Sequence, residues 1–325
     1  LPISIDSQGF LTKEGMTYYG NFAKGGSAAV HMGEVIMDRK NSLAHEDHMN
    51  LIDENTLQTL NTFNEYAHIF GAKTSVELNH SGQFAMPQFG DGTDPMGPVE
   101  MNMPSGTHVR MMNEDDMAYV AKIYAKAANM AKRGGCDMVC MHYGHGWLMG
   151  AFLSPLVNTR TDQYGGSLEN RMRFPLMVLQ RIREKVGRDF PLDIRISGFE
   201  VLPGGMVPED VAQIAKKLEP LVDMISVSCG GVYHASTAER MAPSMFMPEG
   251  VNVYLAEIVK KTGGMNIPVS TVGALSTPAY MEQIIASGTA DLCNIAHGLI
   301  CDPYLPYKAL HGQDEDILPC LRCNS

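Results

Sequence analysis

The sequence predicts an α/β chain folded as a (β/α)8 TIM barrel, and three observations predict it. Short apolar runs alternate with segments of helical period from residue 26 to residue 295, with no linker or composition break between them. No strand is followed by Gly-x-Gly-x-x-Gly, the fingerprint of the open doubly wound alternative, whereas Gly204-Gly205 and Gly230-Gly231 fall in loops after strands, where a barrel builds its pocket. The length of 325 residues suits one barrel with insertions.

In chain order, residues 26–37 read as a strand. Leu57, Leu60, Phe63, Ala67 and Phe70 then recur at helical spacing after the acidic start Asp53-Glu54. Residues 73–78 form the next strand, and a Gly-, Pro-, Asp- and Met-rich loop runs on to Met112, long enough to serve as a lid or pocket wall. Asn113-Glu-Asp-Asp116 opens a helix with the apolar stripe Met117, Val120, Ala121, Tyr124, Ala128 and Ala131, closed by Gly134-Gly135. A buried strand at 137–142 leads into a long polar loop and a helix from Ser167 to Val186. Strands at 192–196, 224–228, 269–272 and 292–295 follow, with helices at 208–221, 251–262 and 277–286 between them. This makes seven strands from residue 26 onward, one fewer than a closed barrel needs.

Composition narrows the function. A net charge of -11, from 25 basic and 36 acidic residues, disfavours nucleic acid as a partner, because neutralising phosphates takes clustered Lys and Arg. No stretch is long and apolar enough for a membrane span, and LPISIDSQGF lacks the basic and apolar regions of an export signal, so a cytoplasmic enzyme is expected. The odd count of 7 cysteines fits a reducing compartment better than a disulfide framework, and only Cys320 and Cys323 form a CxxC. The 24 methionines include Met141, Met149, Met206, Met241, Met245 and Met247 near strand ends. They could line an apolar pocket, though a composition bias is the simpler reading.

The chemistry concentrates at the end of the 137–142 strand, where His142, Tyr143, His145 and Trp147 crowd the place where α/β proteins carry their active sites. The segment reads His142-Tyr-Gly-His145-Gly-Trp147-Leu148, then Phe152-Leu-Ser-Pro155, Asn158-Thr-Arg160-Thr-Asp162-Gln-Tyr164-Gly-Gly-Ser167 and Glu169-Asn170-Arg171. This ordered series resembles the old yellow enzyme family of flavin-dependent ene-reductases. The family's tyrosine is replaced by Trp147, whose indole N–H is too weak an acid to deliver a proton.

The resemblance implies FMN as cofactor and assigns residues around it. Arg195 would stabilise negative charge on the reduced flavin, and Glu77, standing at the family's Gln position, would accept from flavin N3–H or pair with Arg195. Gly33 would let the flavin approach the backbone. Gly230, Gly231, Gly273, Ala274, His297 and Gly298 would supply phosphate contacts, with His297 where the family has Arg. His142 and His145 would converge on a substrate carbonyl oxygen, and Tyr143, Tyr233 and His234 are the candidates for proton donor. Asn158, Arg160, Asp162 and Tyr164 are expected to hold their loop together, and Arg171 and Arg173 to pair with acids.

Family members have a first strand ending in Ala-Pro before a loop like Leu1-Pro-Ile-Ser-Ile-Asp6, so the chain is expected to begin just after the first barrel strand. Residues 1–318 would be the FMN barrel. Residues 319–325 would open the four-cysteine motif of a 4Fe-4S cluster, with Cys320 and Cys323 as ligands, as in the subgroup of 2,4-dienoyl-CoA, enoate and bile-acid or steroid reductases. FAD and NAD(P)H are then expected in a further C-terminal part. The partner implied is a small unsaturated carbonyl compound, with a homo-oligomer left open. The alternatives are a trimethylamine dehydrogenase-like amine demethylase and a metal hydrolase using His142, His145 and Glu77.

Overall fold

A computed structural model describes residues 5–46 and 48–324. Its strands in chain order are β1 (Ala29–Ile36), β2 (Met49–Asn50), β3 (Lys73–Leu78), β4 (Met96–Gly97), β5 (Met101–Asn102), β6 (His108–Met111), β7 (Met138–His142), β8 (Leu192–Ser197), β9 (Met224–Ser228), β10 (Val269–Val272) and β11 (Leu292–Asn294). A parallel 8-stranded sheet runs β11-β10-β9-β8-β7-β3-β1-β2, curling as a TIM barrel with helices outside it.

Period-2 alternation explains why these strands form a wall. In β8, Leu192, Ile194 and Ile196 are fully buried in the apolar cluster that also holds Val178, Leu179 and Ile182 of the helix Leu168–Val186. The alternate residues Asp193, Arg195 and Ser197 take the opposite, inner face. The same pattern puts Ser75 and Glu77 of β3, Cys140 and His142 of β7, and Ser226 and Ser228 of β9 inside. Replacing Ile194 with Ala would cost about 3 kcal/mol through the cavity left between sheet and helices.

Strands β1, β3, β7, β8, β9, β10 and β11 and the helices between them occupy the positions that the periodicity predicts. The helix Glu114–Arg133 starts with a capping box between Asn113 and Asp116 and places three acids in its first turn, satisfying amide donors and the helix dipole together. Ser167 caps Leu168–Val186 through Asn170 N.

Three differences stand out. The loop expected between residues 79 and 112 contains a small 3-stranded sheet, β4-β6-β5. The polar loop after β7 encloses a short helix, Leu148–Leu153, whose six residues are all buried. Lys13–Lys24 forms a helix capped by Thr12 through Gly15 N. The first two are short elements that tertiary packing settles rather than a long periodic run, whereas the 12-residue Lys13–Lys24 helix carries its own N-cap. No helix among the described residues is long and apolar enough to cross a membrane.

Candidate active site at the carboxyl ends of the strands

Four inner-face residues from four neighbouring strands, joined by His145 from the loop after β7, form one chain of contacts. Arg195 Nη1 of β8 donates to Glu77 Oε2 of β3 at 3.1 Å, and Glu77 Oε1 lies 2.5 Å from His142 Nδ1, close enough for an ion pair although off the line of a hydrogen bond. His142 Nε2 of β7 faces His145 Nδ1 at 2.7 Å. His145 Nε2 then reaches Ser228 Oγ of β9 at 2.8 Å.

Electrostatics follow from this geometry. Burial alone would raise the Glu77 carboxyl, but His142 and Arg195 on either side hold it well below the usual carboxylate range. Burial drives the His145 imidazole well below its ordinary value, with the nearby His142 and Arg195 adding to it. His145 is thus neutral, with one donor and one acceptor for its two partners.

The loop holding His145 is pinned from several directions. His145 adopts φ 56, a left-handed conformation uncommon for a side-chain-bearing residue. Its amide donates to Ser197 Oγ at 2.9 Å, Ser197 donates on to the Gly230 carbonyl at 2.8 Å, and Val232 N donates back to the His145 carbonyl at 3.0 Å. Beside it, Gly146 has φ 87, and a Cβ there would lie 2.6 Å from Tyr233 Cζ, so only glycine fits. Trp147 sits edge-on to Phe84 at 5.8 Å and to His142 at 6.3 Å.

The structure separates the sequence-derived candidates. His142 and His145 come together, but their facing nitrogens bind each other instead of standing free as two donors aimed at one oxygen. Tyr143 lies outside the site as a fully buried core residue whose hydroxyl donates to the Pro175 carbonyl at 2.9 Å, because the strand period turns it away from the inner face. His234 is exposed and caps the helix Ala235–Met241 through Ser236 N, which commits its ring to the helix start. Tyr233 lies over Gly146, with Glu200 and Ser154 beside its hydroxyl.

Gly230 and Gly231 are buried, and Gly231 is bridged to His145, so they brace the histidine loop. Gly273 and Ala274 after β10 meet the turn after β11: a Cβ on Gly298 would lie 3.7 Å from the Leu275 carbonyl. Ala296 and His297 there are exposed.

The residues present fit FMN. Gly33 is exposed on the inner face, and a Cβ there would lie 3.5 Å from Glu77 Cβ, so its absence keeps the barrel mouth clear for a flat ring. Arg195 has one hydrogen bond among the described residues, to Glu77, and its side chain is 31% exposed, so its remaining donors are open to a ligand. Glu77, by contrast, has both oxygens engaged.

Asn158, Arg160 and Asp162 do hold their loop, through Asn158 Nδ2 to the Phe152 and Tyr164 carbonyls and Arg160 to the Pro98 and Met112 carbonyls. Arg171 binds the Leu153 and Gly166 carbonyls rather than acids, and Arg173 binds Asn170. Met141, Met149 and Met206 are core residues at 1% exposure or less. Cys320 and Cys323 stand on a tail tied to the Met245 region by the bond from Met245 N to the Arg322 carbonyl. Sequence reasoning passed over Ser197 and Ser228, although the polar residues alternating in LDIRIS and MISVS were the available signal.

Comparison with known proteins places this geometry. The chain is 36% identical over 321 residues to an NADH oxidase of Thermoanaerobacter brockii, covering 98% of this chain and 48% of that protein. It superposes on 2-naphthoyl-CoA reductase in complex with 2-naphthoyl-CoA with a TM-score of 0.90 at 29% identity, covering 99% of this chain and 50% of that one. Histamine dehydrogenase from Rhizobium sp. 4-9 matches with a TM-score of 0.86 at 27% identity, over 95% of this chain and 45% of that one. The chain therefore spans about half the length of the relatives it matches. Residues 4–316 match the model of the family described as NADH:flavin oxidoreductase / NADH oxidase, and the chain belongs to that family.

Proposed function

We propose that this chain is the FMN-binding barrel of an NAD(P)H-dependent ene-reductase acting on a C=C bond conjugated to a carbonyl. One observation carries the reading: His142 and His145 stand paired at the carboxyl end of β7, held by Glu77 on one side and Ser228 on the other. When bound, FMN supplies the hydride that goes to the substrate's β-carbon.

Opening the Nε2–Nδ1 contact frees two ring nitrogens, one of which keeps the shared proton. The other becomes a donor when the His145 proton sits on Nδ1 and Ser228 Oγ donates to Nε2, and N–H donation then stabilises the enolate that hydride addition creates. Glu77 keeps His142 oriented, and Ser197 with Gly231 keeps His145 in its left-handed conformation. Arg195 would offer its spare donors to the flavin's pyrimidine edge. The proton that completes reduction at the α-carbon must come from a group other than Trp147, and Tyr233, over the same loop, is the nearest fit among the notable phenols. Cys320 and Cys323 would be thiolate ligands of a 4Fe-4S cluster on the electron path from NAD(P)H.

A fused aryl thioester of the kind named for the naphthoyl-CoA reductase falls within this substrate class, as do enoates and steroid-type enones. Amine oxidation is the second reading. It draws on the likeness to histamine dehydrogenase and on the Phe84, Trp147 and Tyr233 rings, spaced 5.8 and 6.1 Å from Phe84. The test is the anaerobic spectrum of the full-length protein after NAD(P)H reduction, followed by addition of enones, enoyl thioesters and amines. Reoxidation by an unsaturated carbonyl is the expected outcome. Flavin reduction by an amine alone would reverse the assignment, and absence of flavin would end it.

A further inference from the structure

Strand β1 carries a second cluster of ligating side chains, one that the flavin reading does not use. The register slips between Met32 and Val35, and this irregularity leaves the Glu34 carboxylate beside the segment that follows the strand. Glu34 Oε1 there lies 3.1 Å from His45 Nε2 and 3.1 Å from His48 Nε2. The two imidazoles stack, with centroids 3.9 Å apart. Asn79, at the end of neighbouring β3, donates to Oε2 and so holds the carboxylate in place, while its own Oδ1 is buried without a partner.

The orientation of the His48 ring makes this cluster informative. Its Nδ1 lies 2.9 Å from the His45 carbonyl, which can only accept, so Nδ1 is the donor and Nε2 is the nitrogen left to face Glu34. His45 Nε2 faces the same carboxylate oxygen, so three ligating atoms converge on one point, the arrangement that a single divalent cation fits. The backbone bond at Nδ1 is also the outer support that metal-binding histidines normally have.

We infer that Glu34, His45 and His48 form a binding site for a divalent first-row transition cation, with Zn2+ as its probe. Two imidazoles and one carboxylate suit that class, whereas Mg2+ and Ca2+ call for oxygen ligands. The 3.1 Å separations fall between the spacings of about 3.0 and about 3.4 Å that ligands about 2.1 Å from one metal have at right-angled and tetrahedral geometry. His48 is buried and the His45 side chain is 49% exposed, so the site has a closed back and an open side for water ligands. The ligands come from β1 and the segment after it, with the carboxylate anchored from β3, so the cation ties that segment to the barrel mouth.

The test uses the purified full chain, stripped with a chelator, loaded with Zn2+, desalted and assayed for metal by atomic emission. Thiols such as those of Cys320 and Cys323 can also take up zinc, so the readout is a difference: the unsubstituted chain retains about one zinc more than either His45→Ala or Glu34→Gln. Zn2+ at about 100 times its Kd also raises Tm by about 5 °C, and this rise disappears in His45→Ala, a half-exposed position whose loss leaves the core intact. Equal zinc content in all three proteins overturns the assignment. So does a Tm rise that survives in His45→Ala, or uptake of Mg2+ or Ca2+ in place of zinc.

Discussion

The two sides of the barrel mouth differ in how their polar groups are satisfied. On the β3-β7-β8-β9 side, Glu77, His142, Arg195, His145 and Ser228 pair with one another and are mostly buried. On the β10-β11 side, the turns at Gly273-Ala274 and Ala296-Gly298 present backbone and the exposed His297 with few side-chain partners. The first side is preorganised by the chain itself, so under the proposed function its residues would carry both chemistry and stability. The second depends on what binds, so its residues should affect ligand retention first. This is the division expected of a barrel that positions a reacting carbonyl on one side and a cofactor phosphate on the other.

The sharpest way to break that contrast is His145→Ala. It should lower kcat on an unsaturated carbonyl about 100- to 1,000-fold while the flavin spectrum is retained, as measured by stopped-flow reoxidation. A variant with unchanged kcat would remove the histidine pair from the chemistry. Glu77→Ala comes next, leaving His142 and Arg195 unpaired on the inner face, and should cost about 3 kcal/mol in urea unfolding of the flavin-free protein. On the other side, Gly273 has φ +122, and a Cβ there would meet Asn252 Nδ2 at 2.6 Å. Gly273→Ala should cost about 2 kcal/mol of strain and show it mainly as weaker FMN retention in a dialysis assay.

Acid should also act on the self-satisfied side. His80 is fully buried, and burial pushes its imidazole down to about 3 from 6.5. Between those values the unfolded chain takes up a proton that the folded chain does not, so this contribution is present above pH 6.5 and is lost as pH falls toward about 3. His80→Gln should flatten the stability profile in that window by about 1.4 kcal/mol per pH unit. Smallest is Tyr143→Phe. Losing the bond to the Pro175 carbonyl should cost about 1 kcal/mol with kcat unchanged, whereas a drop in kcat would return Tyr143 to the active site.

Much of this architecture was legible before any coordinates. The strand periods at 73–78, 192–196 and 224–228, the Asn113 capping box and the Gly134-Gly135 stop are local signals, and local signals survive folding because they are satisfied within one element. The inward placement of Arg195 and Glu77 follows from the same period of two. The helix Leu148–Leu153 was not legible, since six residues cannot hold a helix without the burial that surrounding elements supply. Nor was the fate of adjacent residues in one motif. Tyr143 and His145 lie two positions apart, yet one is core and the other is held by Ser197, Ser228 and Gly231.

By itself, then, the sequence determined the barrel class, the strand faces and the family motif, because each depends on spacing along the chain. The tertiary structure alone decided that the two histidines bind each other, that Gly231 braces the histidine loop, and that Glu34 meets His45 and His48. Those outcomes depend on how loops fold back onto strand ends, with a β1 register slip and a left-handed His145 that no local pattern specifies.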